Sequence, residues 1–266
     1  MNRTQLIQTI RQKRSYLCVG LDTDPQLLPV SFARTAEGVL QFNKAIIDAT
    51  RSTCVAYKIN TAFYESLGAH GWIVMEKTVG YIGDEHFIIA DAKRGDIGNT
   101  SYQYATAFFS QMNVDAITVS PYMGEDSIKP FLTFPDKWTI VLGLTSNSGA
   151  GDFELLNCDG APLYEHVLRK VSSWGNPSNL MFVVGATQAD SFTRIRSICP
   201  DHFFLVPGVG AQGGSLGEIS QKAMNKDVGL LVNASRAILY ASSEADFAEA
   251  AAKVAEKYQA EMSTYL

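Results

Sequence analysis

Short apolar stretches rich in β-branched residues recur along the chain, at 16–21, 55–59, 87–90, 116–119, 139–144, 181–184, 203–206 and 229–232. Each is nearly all apolar, the pattern of parallel strands covered on both faces. Between them lie amphipathic segments of helical character at 33–51, 61–81, 100–112, 162–174 and 189–198. A last one, 244–261, carries Ala and Phe247 on one side and Glu and Lys on the other. Eight strands, each followed by a helix, predict a single-domain (β/α)8 TIM barrel over residues 1–266. No internal repeat, low-complexity tract or linker divides it.

The expected strands run out into polar or Gly-rich residues: Gly20-Leu21-Asp22, Lys58-Ile59-Asn60, Asp91-Ala92-Lys93, Ser120-Pro121, Thr145-Ser146-Asn147, Gly208-Val209-Gly210 and Asn233-Ala234-Ser235-Arg236. Barrels of this kind build their sites at the C-terminal strand ends, so polar residues there are candidates for chemistry. The longest turn-like stretch, 145–162, carries Gly149, Gly151 and Gly160. It reads either as a lid or as a surface excursion.

Composition narrows the partners. The 22 Lys and Arg against 27 Asp and Glu give a formal charge of -5. That argues against a nucleic-acid surface but leaves room for an anionic small molecule, which a few placed cations can hold. Cys18, Cys54, Cys158 and Cys199 are scattered, with no CxxC pair. The opening stretch is polar and amphipathic, without a secretory apolar region, and no apolar run approaches membrane-spanning length. The expectation is a cytoplasmic protein with reduced thiols and no membrane partner.

The densest charged constellation is Asp91-Ala92-Lys93-Arg94-Gly95-Asp96. Asp91 and Lys93 are two apart at a strand end, so both side chains are expected to point into the barrel mouth. Asp96 follows as the chain turns. A carboxylate–ammonium–carboxylate array holds a lysine charged and aims it; the alternative is a salt-bridged loop capping the barrel. Three charges leaving a buried strand are costly to desolvate without a task, which favours function. Residues 207–214 contain a formal GxGxxG, but after the seventh strand rather than in a first βα unit. That is where such barrels bind phosphate. Gln212 would donate a side-chain amide there, and Arg236 a two-pronged charged donor, or else a helix-start salt bridge. The four histidines form no HExxH. Tyr102, Tyr104, Phe108 and Phe109 are spaced as a helix face for core or dimer packing.

Asp91-x-Lys93-x-x-Asp96 followed by Ile97-Gly98-x-Thr100 resembles the signature of the orotidine 5'-phosphate decarboxylase family. Its shorter part is shared with related sugar-phosphate decarboxylases and aldolases. The resemblance extends over nearly the whole chain and is similar to the longer bacterial subfamily. It implies a (β/α)8 homodimer with shared sites that converts orotidine 5'-monophosphate to UMP in pyrimidine biosynthesis, with no cofactor and no metal. By the same resemblance, Lys93 is the proton donor to C6 and Asp91 sits against the departing carboxylate. Asp96 completes the neighbouring subunit's charge array. Lys58 supplies the second lysine of a Lys–Asp–Lys–Asp network; Lys44 competes by number alone but lies in a helical pattern. Asp22 would bind a ribose hydroxyl, Thr100 would reach ribose across the dimer, and Gln212 and Arg236 would hold the phosphate. Asp24 precedes Pro25 and reads as a turn residue. Ser148 is assigned the pyrimidine edge, with Ser146 as the alternative. Two rivals remain: a metal-dependent 3-keto-gulonate-phosphate decarboxylase, and a catalytically silent nucleotide-binding barrel.

Overall fold

The apolar runs become strands of one sheet closed on itself. The computed structural model describes residues 1–209 and 213–266. In it, β1 (Leu17–Gly20), β2 (Ala56–Asn60), β3 (Phe87–Arg94), β4 (Ala116–Val119), β5 (Trp138–Leu144), β6 (Leu180–Val184), β7 (Phe203–Pro207) and β8 (Leu230–Ala234) form a closed barrel. The pairing around the ring is parallel throughout, with β8 returning to β1. These are the eight stretches that the apolar pattern marks, and helices connect them on the outside as expected of the (β/α)8 class.

Three departures have local causes. The helix expected over 61–81 is two, Thr61–Glu65 and Gly68–Ile82, broken where Gly68 takes a φ of +64°. The segment expected at 100–112 starts at Gly98 and finishes as a wide turn over Thr106–Gln111. Within 145–162, a short helix (Ala150–Phe153) precedes an antiparallel pair, Asn157–Cys158 with Ala161–Pro162.

Register decides which residues look inward. Gly20 lies opposite Lys58, Lys58 opposite Ile89, and Asn60 opposite Asp91. Strand residues alternate between faces, so Lys58, Asn60 and Asp91 share the inner face. Tyr57 faces outward, and its hydroxyl donates 3.0 Å to the Ile47 carbonyl of the helix Ala36–Thr50. At the other end of the barrel, Trp138 sits edge-on between Phe87 and Phe203. Its indole N–H donates 3.0 Å to the Met1 carbonyl, and the Met1 amine pairs with the Asp115 carboxylate. The chain start, leading into helix Arg3–Lys13, thus closes that end, and the C-terminal end stays open.

Candidate active site

The open end holds a cavity of about 540 Å³. One wall is charged, built by Asp22 after β1, Lys58 and Asn60 on β2, and Asp91 and Lys93 on β3. The facing floor is apolar, from Leu142, Val183 and Leu205 on β5 to β7. Thr145, Ser146, Asn147, Ser235 and Arg236 make a polar rim, with Gly208 and Val209 beside them. Such a cavity suits a ligand with an apolar part and a charged or polar part.

The charges are ordered as a chain. Lys58, 3% exposed, places Nζ 3.0 Å from Asp22 Oδ1 and 3.0 Å from Asp91 Oδ2. The other Asp91 oxygen, Oδ1, accepts from Lys93 Nζ at 2.7 Å and from the Thr118 hydroxyl at 2.9 Å. Burial alone would push the Asp91 carboxyl up. Lys58 and Lys93 override it and hold the group well below the ordinary carboxylate range. Burial likewise works against the Lys58 ammonium, but Asp22 and Asp91 outweigh it and raise its pKa above the ordinary lysine value. Both groups therefore stay ionised at neutral pH.

Lys93 reaches Asp91 by an unexpected route. β3 continues past the apolar stretch at 87–90 to Arg94, and its register against β4 shifts between Ala90 and Arg94. Lys93 itself has a φ of +49°, a left-handed conformation that costs a non-glycine residue roughly 1–3 kcal/mol. Its N–H donates 3.0 Å to the Thr118 hydroxyl, the same hydroxyl that donates to Asp91. The two side chains meet as their spacing predicts, through a distorted strand end rather than flat alternation. Lys93 remains half exposed at the cavity mouth.

The other expected residues divide into those in the cavity and those beside it. Asp22 lines the cavity, and its carboxylate is taken up by Lys58. Lys44 lies on the outer helix, its ammonium 5.0 Å above the Tyr81 ring, so the second lysine of the array is Lys58. Asp24 caps the turn Pro25–Leu27, as its place before proline suggests, and also touches the cavity. Arg236 lines the rim. Gln212 lies outside the described residues. Of the two serines, Ser146 lines the cavity and Ser148 is exposed outside the lining. Asp96 and Thr100 are also outside it. The Asp96 carboxylate accepts from the Ile97 N–H at 2.7 Å, and Thr100 is exposed in the first turn of the helix Gly98–Ala105.

Other contributors carry fainter signals in the sequence. The sequence marks Thr118 only as one hydroxyl within a buried strand, Ala116-Ile117-Thr118-Val119. Tyr240 closes the rim, its hydroxyl accepting from the Asp24 N–H at 2.8 Å. Asn233 and Ser235, at the exit of β8, line the cavity. Among the described residues, their buried Oδ1 and Oγ carry no hydrogen-bond partner. Gly214 packs closely on the chain leaving β6: a Cβ there would fall 2.4 Å from that of Ala186.

A closed parallel barrel with a lysine–carboxylate chain on one wall of its open end and an arginine on the rim places the chain among the (β/α)8 enzymes. The chain belongs to the orotidine 5'-phosphate decarboxylase / HUMPS family, whose model matches residues 15–253. It is 54% identical to the orotidine 5'-phosphate decarboxylase of Phocaeicola vulgatus, covering 98% of each chain. It is equally 54% identical to that of Flavobacterium johnsoniae, covering 99% of this chain and 97% of the relative. Among solved structures, the OMP decarboxylase of Leishmania donovani matches with a TM-score of 0.84 and 38% identity, over 98% of this chain and 99% of that one. The UMP synthase of the same organism matches with a TM-score of 0.85 and 39% identity. That match covers 97% of this chain and 56% of the longer synthase.

Proposed function

We propose that this chain decarboxylates orotidine 5'-monophosphate to UMP, the last step of de novo UMP synthesis, as a cytosolic single-domain enzyme. The observation that carries the reading is Asp91 gripped by Lys58 at 3.0 Å and Lys93 at 2.7 Å on the cavity wall, in a chain of this family. The pyrimidine would lie over the apolar floor, with Ser146 or Ser148 at its edge. Asp22 would meet the ribose, and the phosphate would sit at the rim against Arg236 and Gln212.

In the reaction the bond from C6 to the carboxylate breaks, CO2 leaves, and the electron pair stays on C6. Lys93 Nζ–H then gives its proton to C6, and the neutral amine is reprotonated from solvent. A carbanion of this kind has no adjacent carbonyl to spread its charge, so the catalyst must supply on the order of 20 kcal/mol. Repulsion between Asp91 and the substrate carboxylate supplies about 4 kcal/mol at ~4 Å and an effective dielectric near 20. The larger share falls to Lys93, a cation already oriented where negative charge develops. Phosphate binding adds remote binding energy that holds the substrate against Asp91. The reading assigns no cofactor and no metal, since these residues cover each chemical role.

The same reading makes the enzyme a homodimer, with Asp96 and Thr100 serving the neighbouring subunit's site. Exposed Ile97 and Tyr102 beside them support this, because an apolar patch at the rim invites a cover. Four free cysteines fit a reducing compartment. The test is purified, metal-stripped protein with orotidine 5'-monophosphate, followed by pyrimidine absorbance. Turnover in excess chelator is expected. No turnover, or turnover only after Mg2+ is restored, overturns the reading.

A further inference from the structure

We infer that Arg94 is a positioning residue for Lys93, acting with Glu65 as a clamp across the strand exits that carry the two lysines. The inference rests on the decarboxylase reading for what Lys93 does, and on geometry for the clamp itself. The Arg94 guanidinium donates 3.2 Å through Nη1 to the Ala92 carbonyl and pairs through Nη2 with the Glu65 carboxylate. Its face lies 5.5 Å from the Tyr104 ring centre and 5.7 Å from that of Phe108. The Arg94 backbone is registered opposite Val119 of β4, and its carbonyl accepts from the Ser120 N–H at 2.9 Å.

These contacts surround one unfavourable residue. Ala92 is held on one side of Lys93 and Arg94 on the other, while Thr118 takes the Lys93 N–H. A left-handed residue that is not glycine persists only where its surroundings over-determine it. Without the clamp the turn can relax to an ordinary φ and carry Nζ away from Asp91. Glu65 adds a second tie, because it ends the helix Thr61–Glu65 that follows β2, the strand bearing Lys58. The ion pair thus fastens the exit of β2 to the exit of β3 on the outside, as Lys58 and Asp91 fasten them inside. A planar guanidinium can fill this fork and stack at once, which an ammonium cannot.

The experiment compares wild type with Arg94→Met and Glu65→Gln, reading kcat, KM, UMP affinity by calorimetry and the urea midpoint. Displacing a catalytic group by about 1 Å costs on the order of a hundredfold in rate. Arg94→Met should therefore lower kcat about 30- to 100-fold, and Glu65→Gln about tenfold, with KM and UMP affinity within about threefold. Amide exchange at Lys93 and Arg94 should also quicken about tenfold or more in Glu65→Gln while the barrel amides stay protected. Glu65→Gln keeps the side-chain shape and carries the test alone if Arg94→Met does not fold. A kcat within twofold of wild type, a loss that tracks the folded fraction or UMP affinity, or unchanged amide exchange overturns the clamp. Wild type that leaves the nucleotide untouched refutes the decarboxylase reading instead, and amide exchange, which needs no substrate, still decides the clamp.

Discussion

Replacing Lys58 by methionine removes one ammonium and leaves two carboxylates facing its place, since Asp22 and Asp91 each lie 3.0 Å from Nζ. Unit charges at that distance attract by about 5 kcal/mol per pair at an effective dielectric near 20. Desolvating the ammonium consumes part of this, and breaking a buried pair from one side costs about 3–5 kcal/mol net. The expected loss of unfolding free energy is about 4 kcal/mol at pH 7, measured by urea unfolding from pH 5 to 9. The pH dependence tests the cause. In wild type the Asp91 pKa is depressed, so its contribution is complete above the ordinary value of 3.8 and is lost only in stronger acid. The Lys58 pKa is raised, so its contribution is complete below 10.5 and is lost only at higher pH. The array's contribution is therefore level across the measured range. In Lys58→Met, burial acts on an Asp91 left with Lys93 alone, and its pKa climbs. The difference between variant and wild type should then shrink by about 1 kcal/mol or more between pH 8 and pH 5. Adding Asp91→Asn to Lys58→Met should recover most of the stability at pH 7 and none of the activity. A loss below about 1 kcal/mol, or one independent of pH, would refute the reasoning.

Arg236→Ala should lower kcat/KM for the nucleotide about a hundredfold or more, while slow turnover of the phosphate-free nucleoside stays within about twofold; an unchanged kcat/KM places the phosphate elsewhere. Burial, aided by neighbouring cations, pushes His86 and His202 down from 6.5 to about 4. Stability should therefore be full above pH 6.5 and fall towards pH 4, by about 3 kcal/mol per ring; a level urea midpoint across that window refutes it. Lys93→Ala and Asp96→Ala, each nearly inactive alone, should recover about a quarter of wild-type activity when unfolded and refolded together, because half the dimers would hold one intact site. Activity no greater than the mean of the parents, with normal recovery of remixed wild type, would show that Asp96 serves its own chain.

The strand count and the inward-facing charges were legible because both depend on local pattern: apolar runs of strand length, then a polar residue at each exit. Lys44 and Lys58 were separable for the same reason, one lying in a helical period and the other closing an apolar run. Other features needed the closed ring. Thr118 joins Asp91 only because β4 lies beside β3, and Glu65 meets Arg94 from 29 positions away only because β2 does. The left-handed turn at Lys93 was not legible, since the residue type argues against it and only its surroundings impose it. The break at Gly68 was within reach, a glycine inside an otherwise helical period.

Register is the deepest of these dependences. In a strand buried on both faces, apolar residues suit either face, so hydrophobic alternation says little about which residue looks inward. A one-residue slip of β2 would turn Lys58 into the helix layer and Tyr57 into the cavity. What opposes the slip is polar pairing on both sides at once. Outside, the Tyr57 hydroxyl meets Thr50 at 2.9 Å and the Ile47 carbonyl at 3.0 Å. Inside, Lys58 meets two carboxylates, and neither partner could be satisfied on the opposite face without leaving a buried polar group unpaired. The charges that line this wall therefore also hold β2 in the register that creates it.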